Sequence, residues 1–340
     1  MKILSLALFF SLAWVATAQQ AKIAIGGFYN IENMYDTLDA PDVQDEEFLP
    51  NSAKGYATAA YQTKLNHIAG VIADIGIDVS PDGIAFMGLS EVENRHVIED
   101  LIHQPALVNR KYEIVHYDSP DLRGVDVAFI YQPKYFTVLQ SKTINVDLKP
   151  FGGNRPTRDI LWVTGLLDGD TINILVNHWP SRRGGEETTR PLRNAAAGIC
   201  KALSDSLTNI NPMTKIIIMG DLNDDPNNDS VAKIIGAKPK AEQVKERGFF
   251  NPMWSLYKKG IGSLAWGDAW NLFDQTIISH GLLNDPKGYH YHKVNIYNRP
   301  YLLQKEGAFK GYPYRFWIGD SYAGGYSDHL PVYIFLVKNL

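Results

Sequence analysis

Two packed mixed β-sheets with helices on their outer faces, an α/β (α+β) arrangement, is the fold class this 340-residue sequence predicts. Three observations predict it. Nine short apolar segments read as strands, some joined by turns tight enough to require antiparallel pairing. Two stretches carry the periodicity of amphipathic helices. The run Ile216-Ile217-Ile218-Met219-Gly220 is apolar at every position, as in a strand covered on both faces. Strands and helices in this mixture are satisfied by packed sheets with helices outside.

Taken in order, the chain opens with Lys2, an apolar run from Ile3 to Val15 and Ala16-Thr17-Ala18. A basic start, a short greasy core and small residues before a cut site make residues 1–18 a secretory signal peptide. The run is too short for a membrane span. No cysteine follows the cut site, so a lipid anchor is not expected, and the product is secreted or periplasmic. The one cysteine, Cys200, lies in an Ala-rich stretch and reads as a small core residue.

Strands are expected at 22–29, 83–90, 111–117, 125–131, 160–167, 171–178, 215–220, 274–279 and 331–337. Leu65, Ile68, Ala69, Ile72 and Ile75 form one apolar face of a helix over roughly 57–76, and a second helix runs through 190–207. Asp168-Gly169-Asp170 is a hairpin turn. The stretches 238–270 and 286–326 read as long elaborated loops, and residues 22–340 as a single domain. A net charge of −4 argues against a protein that coats nucleic acid, but permits an enzyme that neutralises phosphate with a metal.

Polar residues gather where the strands end. "FYNIEN" supplies Asn30 and Asn33, "MGLSEVEN" Glu91, "RGVDVAF" Arg123 and Asp126, and "VNHWPSRRGG" His178, Ser181, Arg182 and Arg183. "GDLND" supplies Asp221 and Asn223, "FDQTIIS" Asp274, and "GYSDHLPVY" Asp328 and His329. Singly, each has a bland account as a solvated carboxylate, a turn residue or a helix cap. Together they require more, because two carboxylates about 4 Å apart repel by roughly 4 kcal/mol at an effective dielectric near 20. Converging acids need a cation or shared protons. Asp224 and Asp225 keep the bland reading, as turn or helix-start residues before Pro226.

In order and flanking residues these segments resemble the endonuclease/exonuclease/phosphatase superfamily, from Tyr29 to Tyr333, with "GDLND", "SDHLP" and "SEVEN" the most specific parts. The resemblance implies a DNase I-like four-layer αββα sandwich. It implies that Glu91 is the principal metal carboxylate, with Asn30 beside it and Asp328 near the same metal. It implies that Asp221 activates the attacking water and that Asn223 orients either that water or the phosphate. Asp274 and His329 match an Asp–His pair, and His178 a donor to the phosphate. Asn33, Arg123, Asp126, Ser181, Arg182 and Arg183 are weaker phosphate-binding assignments. "NHWPSRRGG" followed by Arg190 and Arg193 is similar to secreted bacterial nucleases.

The chemistry is coherent without the family. A phosphodiester repels hydroxide, so hydrolysis needs charge neutralisation and an in-line nucleophile. Oxygen ligands suit Mg²⁺ or Mn²⁺. Zinc suits the sequence less, with one cysteine and no helical His-x₃-His pair. The expected activity is therefore metal-dependent hydrolysis of a phosphodiester substrate, nucleic acid in preference, by a monomer. Arg182, Arg183, Arg190 and Arg193 offer either a grip on flanking phosphates or a solvated face. Tyr289, Tyr291, Tyr297, Tyr312, Tyr314 and Trp317 offer either base stacking or packing of a long loop. The alternatives are a sphingomyelinase-like phospholipase, for which "LAWGDAWNLF" (264–273) would be the apolar loop, a sugar or inositol phosphatase, and an inert binding protein.

Overall fold

The computed structural model describes residues 21–340; the signal-peptide segment 1–18 lies outside the described residues. Sixteen strands follow in chain order: β1 (Ala21–Met34), β2 (Phe86–Val92), β3 (Glu113–His116), β4 (Asp126–Tyr131), β5 (Phe136–Ile144), β6 (Ile160–Leu167), β7 (Asp170–His178) and β8 (Lys215–Asp221). The remainder are β9 (Phe249–Phe250), β10 (Leu264–Trp266), β11 (Ala269–Asn271), β12 (Asp274–Ser279), β13 (His290–Ile296), β14 (Trp317–Ile318), β15 (Ser321–Tyr322) and β16 (Val332–Asn339). The main helices are α1 (Thr58–Asp74), α2 (Arg95–Ile102) and α3 (Glu186–Ile210).

Two six-stranded sheets result, ordered β13-β16-β1-β2-β4-β3 and β5-β6-β7-β8-β12-β9. Each is built round one parallel pair, β1–β2 and β7–β8, whose neighbours are antiparallel. A parallel pair needs a long crossover, and α1 and α3 lie in those two crossovers. Period-two alternation explains the layers. Along β8, Ile217 and Met219 join the core between the sheets, while Ile216 and Ile218 pack with Ala196, Ala197 and Cys200 of α3. Along β1, Ala24 and Phe28 face the other sheet, while Ile25 and Tyr29 pack under α1 with Leu65, Ile68 and Ile72. Helix, sheet, sheet and helix form four layers, and Cys200 is buried as expected.

Three expectations change. The supposed loop 286–326 contains β13, a full edge strand paired with β16 from His290 to Ile296. The stretch 238–270 contains β9 and the β10–β11 hairpin. Strand β5 is absent from the sequence reading because its pattern, FTVLQSKTI, is a largely exposed edge with little apolar signal. The Asp168-Gly169 turn is as expected, with φ of 47° and 83° at its two residues, the left-handed pair that a tight hairpin demands. Among the described residues no helix is long and apolar enough to cross a membrane.

Candidate active site

The two parallel pairs point the same way, so both sheets deliver polar strand ends to one edge of the sandwich. Register fixes the neighbours: His178 at the end of β7 stands opposite Asp221 at the end of β8, and Asp221 opposite Asp274 at the start of β12. In the other sheet Asn30 pairs with Ser90, which places Glu91 one residue further along. Asp328 and His329 enter from the segment that leads into β16.

The side chains interlock. Asn30 Nδ2 donates to Glu91 Oε1 (3.2 Å) and to Asp221 Oδ2 (3.1 Å), so one amide ties the two sheets together. Asn223 N–H donates to Asp221 Oδ1 at 2.9 Å. His178 Nε2 lies 3.8 Å from Glu91 Oε1 and 3.7 Å from Asp221 Oδ2. His329 Nδ1 is 2.6 Å from Asp274 Oδ2, and its Nε2 is 3.8 Å from Asp221 Oδ2 and 3.9 Å from Asp328 Oδ1.

Environment sets the charges. Burial, reinforced by Asp274 and Glu91 against the pull of His329, pushes Asp221 up to about 7. Burial by itself would push His329 down, but Asp274, Asp328 and Asp221 outweigh it and hold the imidazole well above its usual value. His178 has burial and the arginines Arg158 and Arg123 acting in one direction, which lowers it well below the usual value and keeps it neutral. The two histidines are thus set to different protonation states.

The backbone around these groups is strained. Of eight non-glycine residues with positive φ among the described residues, Glu32 and Asn33 (51° each), Glu91 (61°) and Asn223 (49°) are here. Such positions persist only where the surroundings over-determine them. Asn33 N–H donates to Glu91 Oε2 at 2.9 Å, which fixes that carboxylate from its far side. Gly220 precedes Asp221 because a Cβ there would lie 2.2 Å from Asn177 O on β7.

The weaker assignments scatter. Arg123 is half exposed beside Asp121, and Ser181 and Arg183 are exposed on the loop after β7. Asp126 spends its oxygens on His116 Nε2 (3.0 Å) and Ser119 N–H (2.7 Å), an arrangement that orders segment 116–119. Arg182 donates to Asn223 O, Glu186, Asp224, Asp225 and Asn228 and lies over the Phe273 ring, so its guanidinium is used within the protein. Arg193 is neither a grip nor a solvated face: it is 0% exposed and pairs with Asp224 at 2.7 Å. Arg190 pairs with Glu187. Asp224 and Asp225 are structural, though buried rather than simple turn residues. Tyr289, Tyr297 and Trp317 are buried, which leaves Tyr312 as the aromatic of that set that lines a cavity beside the site.

Sequence reasoning missed four supporting residues. Arg158, buried, donates to His178 O (3.1 Å), Trp179 O (2.6 Å) and Asp121 Oδ2 (3.0 Å), and so holds the end of β7. Ser263 Oγ–H donates to Asp274 Oδ2, the oxygen that also accepts from His329. Glu32, which burial and then Asp328 push up to about 7, accepts the Phe316 N–H at 2.9 Å. Lys64 is fully buried, its Nζ lies 4.7 Å from the Phe316 ring centroid, and it has no hydrogen-bond partner. A signal for Lys64 existed: it follows Tyr61 by three and precedes Ile68 by four, on the apolar face of α1.

These donors fit a hard divalent cation. Glu91 is held from both sides, by Asn30 Nδ2 and Asn33 N–H, and the histidine beside it, His178, is neutral and does not balance its charge. Asp221, Asp274 and His329 bring ligand atoms within 4.8 Å of one another, with His329 Nδ1 already bonded to Asp274 Oδ2. Glu91 presents two carboxylate oxygens of the kind such a cation takes, and Asp328 Oδ2 is paired with Arg315.

A profile of the Endonuclease/Exonuclease/phosphatase family matches residues 24–338, and the chain belongs to that family. Curated protein sequences give no significant match. Among solved structures, truncated Caenorhabditis elegans TDP2 is similar in fold, with a TM-score of 0.54 and 17% identity over 92% of this chain and 97% of that one. An endonuclease/exonuclease/phosphatase family protein of Bacteroides thetaiotaomicron gives a TM-score of 0.53 and 14% identity over 94% and 100%. The mannosyl-6-phosphatase of the same organism gives 0.52 and 14% over 92% and 99%. The chain is a phosphoric ester hydrolase with a DNase I-like fold.

Proposed function

We propose that the protein hydrolyses phosphodiesters with Mg²⁺ or Mn²⁺, and that nucleic acid is its preferred substrate. The observation that carries the proposal is the placement of Asp221, whose carboxylate is held by Asn30 and Asn223 and faced by both His178 and His329. Glu91, with Asn30 and Asp328 alongside, would hold the cation, which would supply charge neutralisation at the phosphoryl oxygen. Asp221, at about 7, takes a proton from the attacking water near neutral pH. His329, kept cationic by Asp274, donates from Nε2 to a non-bridging oxygen and stabilises the charge that develops there. Neutral His178 offers its Nε2–H to the same phosphate.

Support for nucleic acid comes from a cavity of about 330 Å³ beside Asp328, walled by Trp266, Phe309, Tyr312 and Arg315. Aromatic faces next to a phosphate site suit stacked bases. A Danio rerio TDP2 structure carries a single-strand DNA product. The exposure of Trp266, 72% at the tip of the β10–β11 hairpin, favours one second reading, a lipid phosphodiester. Lys2, the apolar run and Ala16-Thr17-Ala18 support export. Incubation with Mg²⁺ or Mn²⁺ and single-stranded DNA, duplex DNA, RNA, sphingomyelin vesicles and mannose 6-phosphate tests the reading. Turnover of the nucleic acids first is expected; turnover of vesicles or the sugar phosphate alone contradicts it.

A further inference from the structure

Beside the loop that follows β7 lies a cavity of about 240 Å³ lined by Arg123, Asn154, Arg155, Thr157, Arg158 and Arg183. Four guanidiniums from three separate segments meet there against one carboxylate, Asp121, in a chain whose net charge is −4. Asp121 is already committed to Arg158 (3.0 Å) and lies 3.5 Å from Arg123. Arg155 and Arg183 are exposed and free to turn toward a ligand. Arg158 joins the cavity to the catalytic edge, since the same guanidinium donates to His178 O and Trp179 O.

A second observation points to a ligand. Thr157 lines this cavity, is 4% exposed, and its Oγ1 has no hydrogen-bond partner. A buried hydroxyl left unpaired costs about 1–3 kcal/mol, and an anionic oxygen bound in this cationic cavity would satisfy it once the side chain turns toward it.

We infer that this cavity is a subsite for a second phosphate of the substrate, the one that flanks the scissile phosphodiester along a strand. The inference rests on the phosphodiesterase reading and narrows it to substrates that carry a neighbouring phosphate. Phosphate contacts of this kind position a strand without reading its sequence. The expected grip of Arg182, Arg183, Arg190 and Arg193 is thereby revised: Arg182, Arg190 and Arg193 are spent on internal contacts, Arg183 keeps the role, and Arg123 and Arg155 join it.

The test compares wild type with Arg155→Ala/Arg183→Ala and, separately, Thr157→Val. Binding of pentathymidylate is measured in EDTA, where nothing turns over, across a range of salt. Hydrolysis of pentathymidylate and of methyl p-nitrophenyl phosphate, which has one phosphate only, is measured with Mn²⁺. The arginine double variant should bind pentathymidylate about tenfold more weakly, with a salt dependence shallower by roughly 1.4 in log–log slope. KM for the oligomer should rise while both kinetic constants for the small diester stay within about twofold. Thr157→Val should weaken oligomer binding severalfold without a loss of thermal stability. Unchanged binding and salt slope in the double variant, or equal losses on both substrates, would overturn the subsite. Failure of the phosphodiesterase reading would look different: no turnover of either substrate by wild type, with the binding arm still deciding on the subsite.

Discussion

The Nδ1 of His329 lies 2.6 Å from Asp274 Oδ2, while its Nε2 points to the cluster that contains Asp221, 3.8 Å away. One ring therefore faces carboxylates on both sides. Asp274 is itself fixed by Ser263, and the neighbouring Leu330 N–H donates to Ser263 O at 2.7 Å. The pair belongs to a rigid corner between β12, β16 and the β10–β11 hairpin. That corner gives the imidazole its orientation and its charge together.

Asp274→Asn should therefore keep the shape and remove the charge that holds His329 protonated. The expected result is a fall in kcat of about 10²–10⁴-fold, with the alkaline limb of the pH profile moved to lower pH. A loss of rate without a moved limb would assign Asp274 a purely structural role.

Asp221 makes a separate prediction about stability. Its folded pKa, about 7, stands above the ordinary carboxylate value of 3.8, so its ionised form is disfavoured in the native state. For such a group the cost is absent below the unfolded value and accumulates as pH rises from about 4 to about 7. In EDTA, Asp221→Asn should melt at a higher temperature than wild type at pH 8. The difference should shrink as pH falls toward 4. Thermal melts at four or five pH values check it, and a variant less stable at pH 8 would mean that the cluster is not repulsive.

Glu91 is predicted to be the residue on which the metal depends. EDTA should abolish activity and Mn²⁺ or Mg²⁺ restore it. Glu91→Gln should lose metal affinity by calorimetry, whereas Asp274→Asn should bind metal nearly as wild type does. Full activity of a metal-free sample would contradict the assignment.

Arg193 is predicted to matter for folding alone. Its removal leaves Asp224 buried without its closest cation, a change that costs about 3–5 kcal/mol. Arg193→Ala should unfold at a markedly lower denaturant concentration, while the protein that remains folded keeps wild-type KM on DNA. A raised KM with unchanged stability would restore Arg193 to the substrate.

Much of this was legible in the sequence because both signals are local. Strand ends were marked by the switch from an apolar run to an acid or amide, as at Gly220-Asp221 and Ser90-Glu91. The α1 face was readable from Leu65, Ile68, Ala69 and Ile72, all buried. What was hidden depends on tertiary neighbours. Strand β13 carries His, Lys and Asn on an edge, so its period-two signal is weak. Arg158 has nothing in "GNRPTRD" to announce that it supports His178 from the segment leading into β6. Arg193 and Arg183 are the same residue type ten positions apart in one basic segment, yet one is buried against Asp224 and the other is exposed. Only the path of the chain separates them.

The central claim is that Asp221 is the base for water attack on a phosphodiester held beside Glu91. It is tested most directly by kcat of Asp221→Asn, with saturating Mn²⁺, on single-stranded DNA and on a small diester. A fall of about 10³–10⁴-fold on both substrates is predicted, with metal and substrate still bound. A kcat within a few-fold of wild type would contradict the claim.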